Sequence, residues 1–253
     1  MRSILPIVRA AMSLPTLLRA SSLETVTLSP LTSSLPLLLE GHRRVFLLRH
    51  GETDWNAKGL MQGGGFDIEL NEDGKLQADK AREALAGLSF GVIVSSHLAR
   101  SESTADTIAQ SQPQAVRIVN HRFGEMRFGD FEGHAIRGPQ STAETRDRFD
   151  EYAKLVRSDR TFAWPGGGES VNQVEERATA GLEQILTDFT CENYLIVAHG
   201  RTNKILLASL LGQREAEIGH QGNTCINVFD VDMSGNCFAH VINYVGHIEN
   251  EWE

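Results

Sequence analysis

Three short apolar runs, each followed within two residues by histidine or arginine and then by a helical stretch, constrain the fold of this chain more than any other feature. They are VFLL (45–48), GVIVS (91–95) and YLIVA (194–198). Such runs mark strands buried on both faces of a parallel sheet, because neither side of the pleat meets water. Helical stretches alternate with them. Asn71 is placed to cap a helix over 72–88, GVIVS leads into one reaching Gln110, Ser141 opens roughly 142–156, Ser170 opens 171–189, and YLIVA leads into 201–211 with Gly212 behind it. In the stretch after Ser170, Val171, Val174, Ala178, Leu182, Ile185 and Phe189 fall on one face, and that stripe is core. Segments 225–230 and 238–245 flank Met233-Ser234-Gly235-Asn236 as a hairpin. The alternation predicts an α/β fold, a mainly parallel sheet with helices on both faces and at least one antiparallel strand from the hairpin. No internal repeat or interdomain linker interrupts it.

Ligands of open α/β sheets bind beyond the carboxyl ends of the strands, so the residues just past each run are where chemistry is sought. VFLL is followed by Arg49 and His50, GVIVS by Ser96, His97 and Arg100, and YLIVA by His199 and Gly200. Two histidines and two arginines thereby converge on one sheet edge, near helix N-termini whose free amides favour an anion. Guanidinium forks suit phosphate oxygens, and a neutral imidazole attacks phosphorus. Phosphoryl transfer is the chemistry this set invites.

Charge and composition narrow the partners. Residues 1–44 hold Arg2, Arg9, Arg19, Arg43 and Arg44 against Glu24 and Glu40 (5 − 2 = +3), so the net −9 of the chain leaves −12 beyond Arg44. Such a body is a poor nucleic-acid binder. No run approaches the ~18 apolar residues of a membrane span. Cys191, Cys225 and Cys237 form no CxxC pair, which suggests neither a disulfide framework nor structural zinc and fits a reducing compartment. Residues 1–42 are rich in serine and well-spaced arginine, with no acidic residue before Glu24, and prolines and Arg9 break every candidate signal-peptide core. They read as a leader, an organelle transit peptide for mitochondrion or plastid. The alternative is a disordered extension on a cytoplasmic protein. Residues 43–253 then form one domain, and the leader is expected to be dispensable for activity.

With those residues in view, LLRHGETDWN (47–56), SSHLAR (95–100), EMRFGDFEG (125–133) and VAHG (197–200) resemble, in order, the signatures of the histidine phosphatase, or phosphoglycerate mutase-like, superfamily. The resemblance spans about four-fifths of the chain. It implies a three-layer α/β/α sandwich carrying its site at the C-terminal edge of the sheet, the edge already reached from the strand runs. It further implies His50 as the nucleophile that becomes phosphorylated, and Arg49, Arg100 and His199 as the pocket for the phosphoryl group. Asn56, Gln62 and Gly63 complete that pocket, with Gly200 beside His199 at the substrate. Glu125 resembles the proton donor to the leaving oxygen, later the base toward water. No metal or other cofactor is implied, since arginines supply the positive charge. His97 stands where the family often has proline, which bears on loop rigidity and substrate preference and leaves its role open.

Other readings stand beside these. A lone histidine after a strand is commonly a cap or a core residue. Gly63-Gly64-Gly65 lacks the Lys-Ser/Thr of a P-loop and reads as a turn, and Gly166-Gly167-Gly168 as a loop before a helix. Glu132 and Asp130 are alternatives to Glu125 as the acid. His121, His134, His220, His240 and His247 show no HExxH spacing, which argues against a metal site. Three functions remain. The first is a phosphomonoesterase acting on a small anionic phosphate ester. The second is a 2,3-bisphosphoglycerate-dependent phosphoglycerate mutase, whose family insertion between the acid and the second histidine is longer than the gap from Glu125 to His199 here. The third is a non-catalytic relative binding a phospho-ligand or a protein, which would be expected to lack one of these residues. The expected partner is a small phosphorylated metabolite, with no nucleic acid and no membrane; homo-oligomer formation stays open. Arg137, Arg146, Arg148, Lys154, Arg157 and Arg160, in the variable stretch 135–168, are available to an anionic leaving group.

Overall fold

The computed structural model describes residues 30–249, so most of the segment read as a leader lies outside the described residues. Six strands form one sheet: β1 (Arg43–Arg49), β2 (Val92–Ser95), β3 (Val116–Val119), β4 (Asn193–Ala198), β5 (Ile226–Val231) and β6 (Cys237–Tyr244). Their order is β3-β2-β4-β1-β5-β6. The first four run parallel, and β5 lies antiparallel to both β1 and β6. The helices are α1 (Pro30–Ser34), α2 (Asp54–Ala57), α3 (Glu72–Leu85), α4 (Ala99–Ala109), α5 (Ala143–Ser158), α6 (Val171–Asp188), α7 (Gly200–Leu210), α8 (Glu215–Ile218) and α9 (Gly246–Glu249).

Successive strand side chains point to opposite faces, and both faces are apolar. Val45, Leu47, Val94 and Ile196 pack on Leu182 and Ile185 of α6 and Leu206 and Leu207 of α7. Phe46, Leu48, Ile93 and Val197 pack on Ala81 and Leu85 of α3 and Ala105 and Ile108 of α4. This is the three-layer sandwich expected. A third cluster, with Phe128, Phe131, Trp164 and Val156, lies between the 126–136 segment and α5.

The differences from the sequence reading are local. Strand β3 was not foreseen, because Val116 and Val119 are exposed at a sheet edge and interrupted by Arg117. Thr142, not Ser141, caps α5, its side chain accepting from the Thr145 amide. Helix α3 stops at Leu85, three residues short of Leu88. Helix α1 falls within the 1–42 segment, and its Leu31 is 1% exposed against Phe46, Leu85 and Ile226. Burying a leucine stabilises by roughly 1.5–3 kcal/mol, so a chain starting at residue 42 would lack this packing.

Strand register sets the site. Arg49 pairs with Ala198 across neighbouring parallel strands, and Ser95 pairs with Val197. The next residues, His50, His199 and Ser96, therefore emerge together at one edge. The two imidazole centroids lie 5.1 Å apart, close to the ~4.8 Å between adjacent strands.

Candidate active site

His50 is 3% exposed and held from both sides. Its amide donates to the Ala198 carbonyl at 3.0 Å, and its own carbonyl accepts from the Thr224 amide at 3.2 Å and Asn223 Nδ2 at 3.3 Å. Nδ1 lies 2.6 Å from the Gly51 carbonyl. A carbonyl only accepts, so Nδ1 carries the proton and Nε2 keeps its lone pair. Burial, then Arg100 and Arg49, hold the ring well below the usual histidine range, and it is neutral at physiological pH.

His199 N-caps α7 and is fully buried. Its Nε2 is 2.7 Å from Ser96 Oγ, which also accepts from the Leu98 amide at 3.2 Å. Spending the Ser96 proton on Nε2 satisfies both groups, leaving His199 Nδ1 as a buried N–H without an acceptor among the described residues. Burial, Arg100 and His50 lower this ring's pKa as well.

The guanidinium groups lack counter-ions. Arg100, fully buried in the first turn of α4, donates to the carbonyls of Phe66 and Gly63 at 3.1 Å each. Burial brings its pKa down to about 10, and it stays charged at pH 7. Arg49 donates to the Gln221 carbonyl at 2.8 Å. Neither makes an ion pair among the described residues, and the Nε of each is buried without a partner. Gln62 Oε1 accepts from Thr53 Oγ1 and Asn56 Nδ2, at 2.8 and 3.0 Å, while its Nε2 has no acceptor among the described residues. Arg49, Asn56, Gln62, Glu125 and Gly200 line one cavity of about 550 Å³. Gly200 opens α7, where a Cβ would come within 3.4 Å of Arg49 Nε.

The three candidate acids occupy different places. Glu125 alone of them lines the cavity, its carboxylate accepting from the amides of Arg201 and Thr202 at 3.1 and 3.0 Å and from Thr202 Oγ1 at 3.1 Å. Glu132 accepts from the amides of Phe128 and Gly65 and so ties two loops together; burial raises its pKa. Asp130 faces solvent in an ion pair with Arg148 at 2.9 Å.

One sequence expectation needs correction. The helix N-termini do not offer free amides throughout: those of Arg201 and Thr202 are taken by Glu125, and that of Ala99 by Asp67. Attraction for an anion therefore rests on side-chain donors. The glycines 63–65 hold the turn expected, at Gly64 and Gly65, and also permit close approach, since a Cβ on Gly63 would meet Glu132 Oε1 at 2.1 Å and one on Gly64 the Glu125 carbonyl at 2.4 Å. His97 does not line the cavity. It stacks on His121 at 4.3 Å, and burial followed by His121 lowers its pKa. Of the six cations in 135–168, Arg137 alone lines the cavity, and Arg148 and Arg160 are spent on ion pairs.

Sequence reasoning named Ser96 at a strand end without giving it a role, and did not single out Thr202, Gln221 or Asn227. The last two are buried and bonded to each other, Asn227 Nδ2 to Gln221 Oε1 at 2.7 Å, and they set the carbonyl that holds Arg49. Asn227, a polar residue inside a buried strand, is the one whose sequence position could have flagged it.

Two buried neutral rings also bear on stability. The unfolded chain binds protons at His50 and His199 near the ordinary pKa of 6.5, whereas the folded chain binds them only well below it. Their contribution is complete above about pH 6.5 and is lost as pH falls through the acid range, by at most about 1.4 kcal/mol per pH unit for each ring. Denaturant titrations between pH 7 and 5 should show this decline, and a His50→Asn/His199→Gln double variant should flatten it. An equal slope in both proteins would assign it elsewhere.

The profile of the histidine phosphatase superfamily (branch 1) matches residues 45–243. Phosphoglycerate mutase-like protein 4 of Arabidopsis thaliana is 30% identical over 82% of this chain and 88% of its own length. A 2-carboxy-D-arabinitol-1-phosphatase of Triticum aestivum is 29% identical over 90% of this chain, which spans only 42% of that protein. A mycobacterial glucosyl-3-phosphoglycerate phosphatase solved in complex with VO3 superposes with a TM-score of 0.69 at 31% identity, covering 80% of this chain and all of the other. A profile match across the folded body, with phosphatases among both sequence relatives and structural neighbours, makes this chain an enzyme of the histidine phosphatase superfamily.

Proposed function

We propose that this chain is a metal-independent phosphomonoesterase that hydrolyses a small anionic phosphate ester through a phosphohistidine on His50. One observation carries the reading. Four buried N–H donors have no acceptor among the described residues, Arg49 Nε, Arg100 Nε, Gln62 Nε2 and His199 Nδ1; Arg49, Arg100 and His199 stand near His50, whose second nitrogen is free, and Gln62 shares the cavity wall with Arg49. Buried donors are rarely left unpaired, and a phosphoryl group supplies the missing acceptors.

In the first step His50 Nε2 forms a bond to phosphorus as the ester P–O bond breaks, and Glu125 gives a proton to the departing oxygen. In the second, Glu125 takes a proton from water, whose oxygen bonds to phosphorus as the N–P bond breaks. Arg49 and Arg100 offset the charge on the non-bridging oxygens throughout.

The test is a panel of phosphomonoesters assayed in excess EDTA, with 3-phosphoglycerate plus 2,3-bisphosphoglycerate included. Phosphate release that persists in the chelator is expected. Activity abolished by EDTA and restored by Zn²⁺ or Mn²⁺ would overturn the metal-independent reading, and isomerisation faster than phosphate release would assign a mutase.

A further inference from the structure

Lys204 lies on α7 about one helical turn, roughly 6 Å, beyond Gly200. It lines the cavity that holds Arg49, Gln62 and Glu125, and also a second cavity of about 750 Å³. The two cavities share the walls made by Phe128, Phe149, Arg201 and Lys204, and the second continues over Ala153, Val156 and Trp164. That part of its wall is aromatic and aliphatic, while Arg157, Arg160, Arg214 and Glu215 line other parts of it. A phosphorylated three-carbon acid would leave most of this space to water, because cavities of several hundred Å³ take considerably larger ligands.

The charges at the junction are unequal. Arg201 is neutralised by Glu215 at 2.7 Å, and Arg160 is bound by Glu175 and Glu215. Lys204 has neither an ion pair nor a hydrogen bond among the described residues. Burial and the neighbouring Arg201 hold its ammonium below the usual lysine range, so a nearby anion would relieve an unfavourable charge. Arg137, on the wall of the first cavity, is likewise without a partner among the described residues.

We infer that the phosphate ester accepted here carries a second anionic group, a carboxylate or a further phosphate, on an apolar body reaching past Phe149 into the second cavity, and that Lys204 is the residue selecting it. The inference rests on the phosphatase reading above and names its substrate class. Separation decides the geometry: the phosphoryl group occupies the Arg49 and Gln62 end, so the second anion must sit about a helical turn away, and hydrocarbon must bridge the gap.

The test compares kcat/KM for hexyl phosphate, 6-phosphonooxyhexanoate, hexane-1,6-diol bisphosphate and the shorter 3-phosphonooxypropanoate, with p-nitrophenyl phosphate as a reference. At least one of the two six-carbon probes with a second anionic group should exceed hexyl phosphate by about tenfold, the scale of one charge-assisted hydrogen bond; which one does so separates carboxylate from phosphate. 6-Phosphonooxyhexanoate should also exceed 3-phosphonooxypropanoate. Lys204→Met should collapse the ratio to hexyl phosphate, and Lys204→Glu should invert it. A wild-type ratio near one, a ratio insensitive to Lys204, or equal rates for the long and short carboxylates would overturn the inference while leaving the phosphatase reading intact. Failure to hydrolyse even p-nitrophenyl phosphate would overturn that reading, and the inference with it.

Discussion

His50→Ala is expected to lower phosphomonoester turnover by roughly 10⁴-fold or more, the scale on which enzymes lose rate when a covalent nucleophile is removed. The fold should survive. Among the described residues the ring makes one hydrogen bond, the local one to the Gly51 carbonyl, while the backbone bonds of residue 50, to Ala198 and from Thr224, do not depend on the side chain. Wild-type protein mixed with substrate and quenched in alkali during the first turnover should carry phosphate on His50. Phosphohistidine survives alkali and is labile in acid, the reverse of phosphoserine, which separates His50 from the nearby hydroxyls of Thr53, Ser95 and Ser96. The neutral ring is central to the argument. Its proton is committed to Gly51, and burial between two guanidinium groups keeps a second proton off, so Nε2 is nucleophilic without a separate base. Turnover without an alkali-stable, acid-labile adduct, or an alanine variant of near-normal rate, would exclude the covalent mechanism.

The second large effect concerns Glu125. Changing it to glutamine should slow esters of aliphatic alcohols by roughly 10²–10⁴-fold, the usual worth of general acid–base assistance. An activated aryl phosphate should be slowed far less, because a nitrophenolate departs without a proton. The comparison also controls for structure. Glu125 accepts from the amides of Arg201 and Thr202, so the glutamine NH₂ would face an N–H and disturb the start of α7. Displacement of α7 would move Gly200 and His199 and slow both substrates alike, whereas loss of the acid alone separates them. If both suffer equally, Glu125 is a positioning residue that holds α7.

The legible parts of the fold were those where burial is total and local. VFLL, GVIVS and YLIVA announced β1, β2 and β4 because both faces of each strand are covered, and Asn71 and Ser170 announced their helices because a cap needs one side chain and an amide three residues on. Strand β3 was illegible because an edge strand needs no apolar run. Arg49, His50, Arg100 and His199 were legible as a group because chain direction alone brings strand ends to one edge.

The class of fold, the edge carrying the site and the residues delivered there all follow from backbone periodicity and from apolar side chains leaving water. Tertiary structure alone decided which nitrogen of His50 is free, since that depends on the Gly51 carbonyl. It also decided that Glu125, rather than Glu132 or Asp130, faces the cavity, because the three sit within eight residues of one irregular segment and only contacts with α7, the 63–65 loop and Arg148 distinguish them. Lys204 and the second cavity belong to the same class. Their meaning arises where α5 and α7 meet, and the distance between elements remote in sequence is set by packing, which no local pattern of residues encodes.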